Sequence, residues 1–349
     1  MTRTAMGSGL IAAALGGFLA NTVHLPLAWV IGSMLGVGLL SLLSGQRHQQ
    51  PAHLRRAAQG CIGVALGLYF TPEVWQQLGG LLPWIVLGAL TALTLSVLSA
   101  PVLQRWAKVE GATAIYAVAL GASAEMSLQG QRAGADAAAV ASAHSLRIIL
   151  VTTSASMLAW VLGEPLSWAP ASAANLPWTI WVPMLSVAGV VAVVLHRGRL
   201  PNPWLLGPLI VGGIWAAQGE TSRLPDWITV TAQVLIGWAL GQHLTRQFFA
   251  RAPRWLFCSA GVTMGILLAC LGMAVLIAQG SGLPIMTCFI AMAPGGMAEM
   301  GVIAKSFGLG APVVTAFHLM RIVMTIFCTQ WLAQWMMRTG WVQRQAPAD

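Results

Sequence analysis

Six ionisable residues stand inside otherwise apolar stretches of this sequence, in two sets with one spacing. Glu125 sits in Gly121-Ala122-Ser123-Ala124-Glu125-Met126 and is followed by His144 and Arg147. Glu299 sits in Pro294-Gly295-Gly296-Met297-Ala298-Glu299-Met300 and is followed by His318 and Arg321, every member 174 residues after its counterpart. Hydrocarbon makes such groups expensive, so an ionisable residue within a membrane segment points to a functional site. Three kinds of chemistry are open to the set. Each arginine could neutralise its glutamate and pin the local structure, because buried charges are normally paired. A glutamate or histidine could carry a coupling proton, since low dielectric raises a carboxylate's pKa and histidine already titrates near neutrality. Arg147 and Arg321, with backbone N–H groups freed at a helix break, could bind an anionic group. Two glutamates and two arginines sum to zero, so the set leaves the charge of a substrate open.

The elements that must position these groups follow from breakers and spacing. Pro294-Gly295-Gly296 cannot run as smooth helix, because proline lacks the N–H and glycine is permissive. Gly121 marks the corresponding break in the first set, where Leu120-Gly121-Ala122 replaces Pro-Gly-Gly and predicts a milder interruption. A hairpin turning near Gly134 brings Glu125 and His144 face to face, and Arg147 shares the helical face of His144. At 1.5 Å per residue Arg147 then lies roughly 16 Å past Asp136, about half-way through a ~30 Å hydrocarbon core. Glu299, His318 and Arg321 repeat this around a turn near Gly308. Irregular backbone at that depth is tolerated only where protein or a water-filled cavity surrounds it.

Composition places these segments in a membrane. The chain has 349 residues, 57% of them hydrophobic and 8% charged, against about 25% charged in a soluble domain. Its mean hydropathy is +0.75. Sixteen Trp against two Tyr suit interfacial anchoring at segment ends, at Trp75, Trp84, Trp168, Trp178, Trp181, Trp255 and Trp341. The net charge of +9 is scattered over short loops and forms no basic patch, which argues against direct nucleic-acid binding. Cys61, Cys258, Cys270, Cys288 and Cys328 lie in apolar segments without a CxxC, so they read as small hydrophobes.

Apolar runs predict six segments in each half: about 7–20, 26–43, 57–70, 78–99, 111–129 and 137–161, then 178–195, 203–217, 228–244, 255–278, 284–303 and 312–336. Leu25-Pro26-x-x-Trp29-x-x-Gly32 recurs as Leu200-Pro201-x-x-Trp204-x-x-Gly207. Gln59-x-x-Ile62-Gly63-x-Ala65-Leu66-Gly67 recurs as Gln233-x-x-Ile236-Gly237-x-Ala239-Leu240-Gly241. Motifs in one order at offsets of 174 or 175 indicate an internal duplication, with repeats 1–165 and 166–349 joined through Gly163–Pro177. Arg3 and the apolar run Leu10–Ala20 resemble a signal peptide, but the run has a counterpart near 181–194, which favours a retained first helix. The glycines of Gly60-Gly63-Gly67 and Gly237-Gly241 read as helix-packing positions.

Loop charge favours a re-entrant first glutamate segment; letting the second one cross gives thirteen against three, so repeat symmetry decides there. If the glutamate segments 111–129 and 284–303 enter and leave by one face, only Arg223 and Lys305 of the loop cations lie outside, against fourteen on the cytoplasmic side. If every segment crosses, the bias falls to nine against seven. The expected fold is therefore an all-α polytopic membrane protein of two inverted repeats, each with about five transmembrane helices plus one re-entrant or broken helix. Both termini would be cytoplasmic.

Enzyme chemistry finds little support, because GxSxG, HExxH and Walker patterns are absent. His24, His48, His53, His196 and His243 are too dispersed to suggest a metal cluster, and Asp136 and Asp226 read as turn or cap residues. No metal or cofactor is expected.

The doubled Gly-x-x-Ala-Glu-Met signature, the Leu-Pro-x-x-Trp-x-x-Gly motifs and the two-copy layout closely resemble the bacterial membrane AbrB duplication family, from about residue 8 to 337. Members carry the labels ammonia monooxygenase or AbrB family transcriptional regulator, so the resemblance implies a role in regulating gene expression. It supplies no residue-level assignments. The residues support neither label chemically, since ligands for an oxygenase metal and a DNA-reading module are both missing. The expected function is a secondary transporter or permease of a small molecule, with a membrane-embedded ligand sensor as the alternative. Expected partners are that small molecule, the lipid bilayer and, in a homo-oligomer, further copies of the chain.

Overall fold

The computed structural model describes residues 3–121, 123–162, 174–200, 202–219, 222–251 and 253–343. The described structure is almost entirely helical. The first half contains α1 (Arg3–Thr22), α2 (Ala28–Ser44), α3 (Ala52–Gly67), α4 (Pro72–Ala107), α5 (Gly111–Val118), α6 (Ser123–Arg132) and α7 (Ala137–Leu162). The second contains α8 (Trp178–Arg197), α9 (Pro203–Ala216), α10 (Asp226–Gly241), α11 (Arg246–Arg251), α12 (Pro253–Ser281), α13 (Ile285–Met292), α14 (Met297–Ser306) and α15 (Ala311–Arg338). Five of these, α4, α7, α8, α12 and α15, are long and apolar enough to cross a bilayer. Ala174–Asn175 and Ser222–Arg223 form a short parallel pair. The junction predicted at Gly163–Pro177 lies mostly outside the described residues.

The duplication is written into the backbone as well as the sequence. Left-handed residues occur in matched positions: His24 (φ 55°) with Arg199 (57°), Leu27 (52°) with Asn202 (48°), Lys108 (53°) with Gly282 (72°), and Gly134 (84°) with Gly308 (65°). A β-carbon disfavours this region, so leucine and lysine hold it only where the surrounding chain demands the turn. The expected segments 111–129 and 284–303 each divide into two short helices, α5–α6 and α13–α14. Segment 78–99 grows to the 36-residue α4, and the short α11 has no apolar signal in the sequence.

Contacts sort the chain into two compact units that each draw on both halves. One comprises Met1–Gly80, Ser156–Phe248 and Ala298–Val313; the other comprises Leu81–Ala155, Phe249–Met297 and Val314–Asp349. In the first unit the paired motifs exchange partners. A Cβ on Gly63 or Gly67 of α3 would run into the backbone of α9 at Leu205 and Leu209. One on Gly237 or Gly241 of α10 would run into the backbone of α2 at Val30 and Met34. Each glycine-bearing helix therefore lies backbone to backbone against the Leu-Pro-x-x-Trp helix of the other half, as small residues permit.

In the second unit, Pro101 inside α4 leaves the carbonyl of Val97 without its usual partner four residues on. The indole of Trp341 donates to that carbonyl at 3.3 Å. Two other tryptophans expected as interfacial anchors are packed instead. Trp255 is buried and donates to Ser142 Oγ at 3.0 Å, and Trp84 lies against Gly280. Trp75 and Trp178 are exposed, as anchors require, while Trp168 lies outside the described residues. Cys258, Cys270 and Cys288 are buried free thiols, in keeping with their reading as small hydrophobes.

Candidate functional site: two helix breaks held by His–Arg pairs

The helix α5 stops at Val118, and the next residue, Ala119, turns extended at φ −57°, ψ 126°. The last carbonyls of any helix lack an internal partner, and in an apolar setting each needs a donor. The side chains of α7 supply them. His144 Nε2 lies 2.9 Å from Tyr116 O, and Arg147 Nη1 donates to Ala119 O at 2.9 Å. Arg147 Nη2 donates in turn to His144 Nδ1 at 3.0 Å. A carbonyl can only accept, so the imidazole carries its proton on Nε2 and offers Nδ1 to the guanidinium. The histidine is thereby held neutral.

The second break repeats this atom for atom. His318 Nε2 lies 3.0 Å from Ile290 O, Arg321 Nη1 donates to Ala293 O at 2.7 Å, and Arg321 Nη2 reaches His318 Nδ1 at 3.0 Å. It adds one bond, from Arg321 Nη2 to Gly295 O at 2.8 Å. The spacing from carbonyl to side chain is 28 residues in both copies. Both breaks also have one length, Val118 to Ser123 and Met292 to Met297. The first break, where Leu120-Gly121-Ala122 predicts a milder interruption, includes Ala122, which lies outside the described residues; Arg147 holds one carbonyl there and Arg321 holds two in the second.

The first glutamate segment is a helical hairpin. The backbone N–H of Asp136, just past α6, donates to Thr113 Oγ1 in the first turn of α5 at 2.9 Å. A Cβ on Gly130 of α6 would sit 3.2 Å from Tyr116 Cβ. The chain therefore folds back beside the start of α5 within two short helices. Asp136 then caps α7 through Oδ1, which accepts from Ala138 N at 2.9 Å and Ala139 N at 3.1 Å.

Glu125 is the third residue of α6 and Glu299 the third of α14, both half-buried in a first turn where the helix dipole favours negative charge. Glu125 Oε1 accepts from Gln129 Nε2 at 3.0 Å. Neither glutamate is ion-paired among the described residues. The simplest structural expectation, that arginine neutralises glutamate, is therefore replaced by arginine bonding to main-chain carbonyls. His144, Arg147, His318 and Arg321 are all buried. A void of about 10 Å³ borders Arg147, Ser259 and Thr263, and both Arg147 Nε and Ser259 Oγ lack a hydrogen-bond partner there. The first break lies against α15 of the other repeat, since a Cβ on Gly121 would meet Thr325 Cγ2 at 3.1 Å, one turn beyond Arg321.

Sequence reasoning named the side chains and missed their partners. Tyr116, Ala119, Ile290, Ala293 and Gly295 act through backbone oxygens, which carry no residue signature. The constant 28-residue spacing was the available signal. Ser259 and Thr325 carried none. Outside the membrane segments, burial and the nearby Arg47 and Arg55 push His243 down to about 4, which keeps this loop histidine neutral at physiological pH.

The family described as "Transition state regulatory protein AbrB" matches residues 7–337. The chain belongs to the AbrB family. It is similar to an Escherichia coli (strain K12) protein named "Putative regulator AbrB", with 29% identity over 315 residues that cover 88% of each chain. It is also similar to "Uncharacterized protein YhjN" of Bacillus subtilis (strain 168), with 25% identity over 90% of this chain and 88% of that one. For this AbrB family chain, the match spans both breaks and all six candidate residues.

Proposed function

We propose that this protein is a secondary transporter of a small solute bearing an anionic group, with a glutamate carrying a coupling proton. The observation that carries the reading is the duplicated break. Two buried guanidinium groups, unpaired with carboxylate among the described residues, stand beside interrupted helices in matched copies. Cations without a counter-ion in low dielectric favour an incoming anion, and broken helices at matched positions are where secondary transporters bind substrate. The histidines are held neutral by their bonds, so the half-buried glutamates are the better proton carriers. In this reading α1, α2, α3, α4 and α7 cross in one copy, and α8, α9, α10, α12 and α15 in the other. The α5–α6 and α13–α14 pairs re-enter, which makes the copies inverted.

Flux through the purified chain in liposomes tests the reading. A screen of small organic and inorganic anions under an inward proton gradient should find uptake that collapses when the gradient is dissipated. Binding without uptake would favour a ligand sensor, the second reading, which the regulatory names of the family and of the Escherichia coli relative support. Topology is tested separately. Single cysteines at Gln131 and Gly198, in a chain freed of its native cysteines, should both react with an impermeant maleimide from the cytoplasmic side. Reaction of Gln131 only from the opposite side would exclude the re-entrant arrangement.

A further inference from the structure

Away from the breaks, the first compact unit contains a cleft of about 430 Å³ between α3, α8 and α9. Its walls are Ala57, Gly60 and Cys61 of α3, Leu185 to Ala192 of α8, and Pro208 of α9. Ala188 also belongs to the buried apolar cluster of Val64 and Met184, against which Cys61 and Leu185 pack. One end is basic. His53 and Arg56 line it, the Arg56 guanidinium lies 4.9 Å above the Trp204 ring, and His196 packs against the same ring at 5.9 Å. The cleft owes part of its room to Gly189, where an added Cβ would meet nothing within 4 Å.

We propose that this cleft binds an anionic phospholipid, with the phosphate at Arg56 and His53 and one acyl chain along Gly60, Cys61 and Gly189. Charge complementarity decides the occupant. An apolar slot alone would accept any alkyl chain, whereas a cation at its mouth selects a negative headgroup, as basic pockets between membrane helices do. Trp204 holds the guanidinium in place through its ring face. None of these residues belongs to the candidate site, so the proposal stands or falls independently of transport.

The test is lipid retention by the purified full-length chain. The protein is delipidated in detergent, offered phosphatidylglycerol or phosphatidylcholine, and weighed by native mass spectrometry. Wild type should hold phosphatidylglycerol with about a tenfold preference, given the contribution expected per basic residue. His53→Ala with Arg56→Ala should abolish the preference. Gly189→Leu, whose Cβ would meet nothing within 4 Å, should lower retention of both lipids while the thermal midpoint stays unchanged. Glycerol phosphate in excess should not displace the lipid; if it does, the site is one for free phosphate. Equal retention of the two lipids by wild type would overturn the proposal. So would a change of oligomeric state in Gly189→Leu without loss of lipid, which would assign the cleft to a second copy of the chain.

Discussion

Arg321→Ala should reduce solute flux to background and lower the thermal midpoint of the detergent-purified protein. The substitution removes the donors to Ala293 O, Gly295 O and His318 Nδ1 together. A buried acceptor left without its donor costs about 1–3 kcal/mol, so losing the two carbonyl bonds should destabilise the break by several times the thermal energy. Arg321→Lys separates the two roles of the residue. It keeps the charge but lacks the planar fork that reaches two carbonyls and an imidazole at once. If the guanidinium serves only to hold the break, both variants should fall in stability and flux together. If it also attracts solute, Arg321→Lys should retain weak, anion-dependent binding that Arg321→Ala lacks. Arg147→Ala should move both readouts in the same direction by less, because Arg147 bonds to one carbonyl rather than two. Wild-type flux in a folded Arg321→Ala protein would remove the arginine from the site.

The second large effect is expected at the glutamates. Glu299→Gln keeps the shape and a hydrogen-bonding side chain but cannot release a proton. Uptake driven by a pH gradient should fall to background in this variant, while solute exchange without a gradient persists. Glu125→Gln should show which copy couples, since the two glutamates occupy matched third positions of α14 and α6. The amide should be tolerated structurally, because each glutamate is half-buried and free of an ion pair among the described residues. Midpoint shifts should therefore be small. Gradient-driven uptake at the wild-type rate in both variants would remove proton coupling from these residues.

Much of the site was legible in the sequence because charge inside apolar segments is rare. Glu125, His144, Arg147 and their copies stood out against a chain with 8% charged residues, and the common offset identified them as two sets. The left-handed turns near Gly134 and Gly308 were legible for a similar reason, since glycine is permissive there. Local propensity at Leu120-Gly121 marked an interruption and offered no neighbouring group to hold it. In the folded chain, side chains 28 residues further along hold it instead.

The sequence by itself determined the membrane class, the repeated motifs, most of the helices and the identity of the ionisable groups at the site. Those properties follow from composition, periodicity and repeated motifs, which are local in the chain or visible as an offset. Only the tertiary structure decided what each group touches. Arginine bonds to carbonyls rather than to glutamate because α7 and α15 lie alongside the ends of α5 and α13, and the freed backbone oxygens there need donors. The exchange that seats α3 on α9 and α10 on α2 was equally hidden. Glycines announce that a backbone will come close, but which backbone arrives depends on packing across the whole unit.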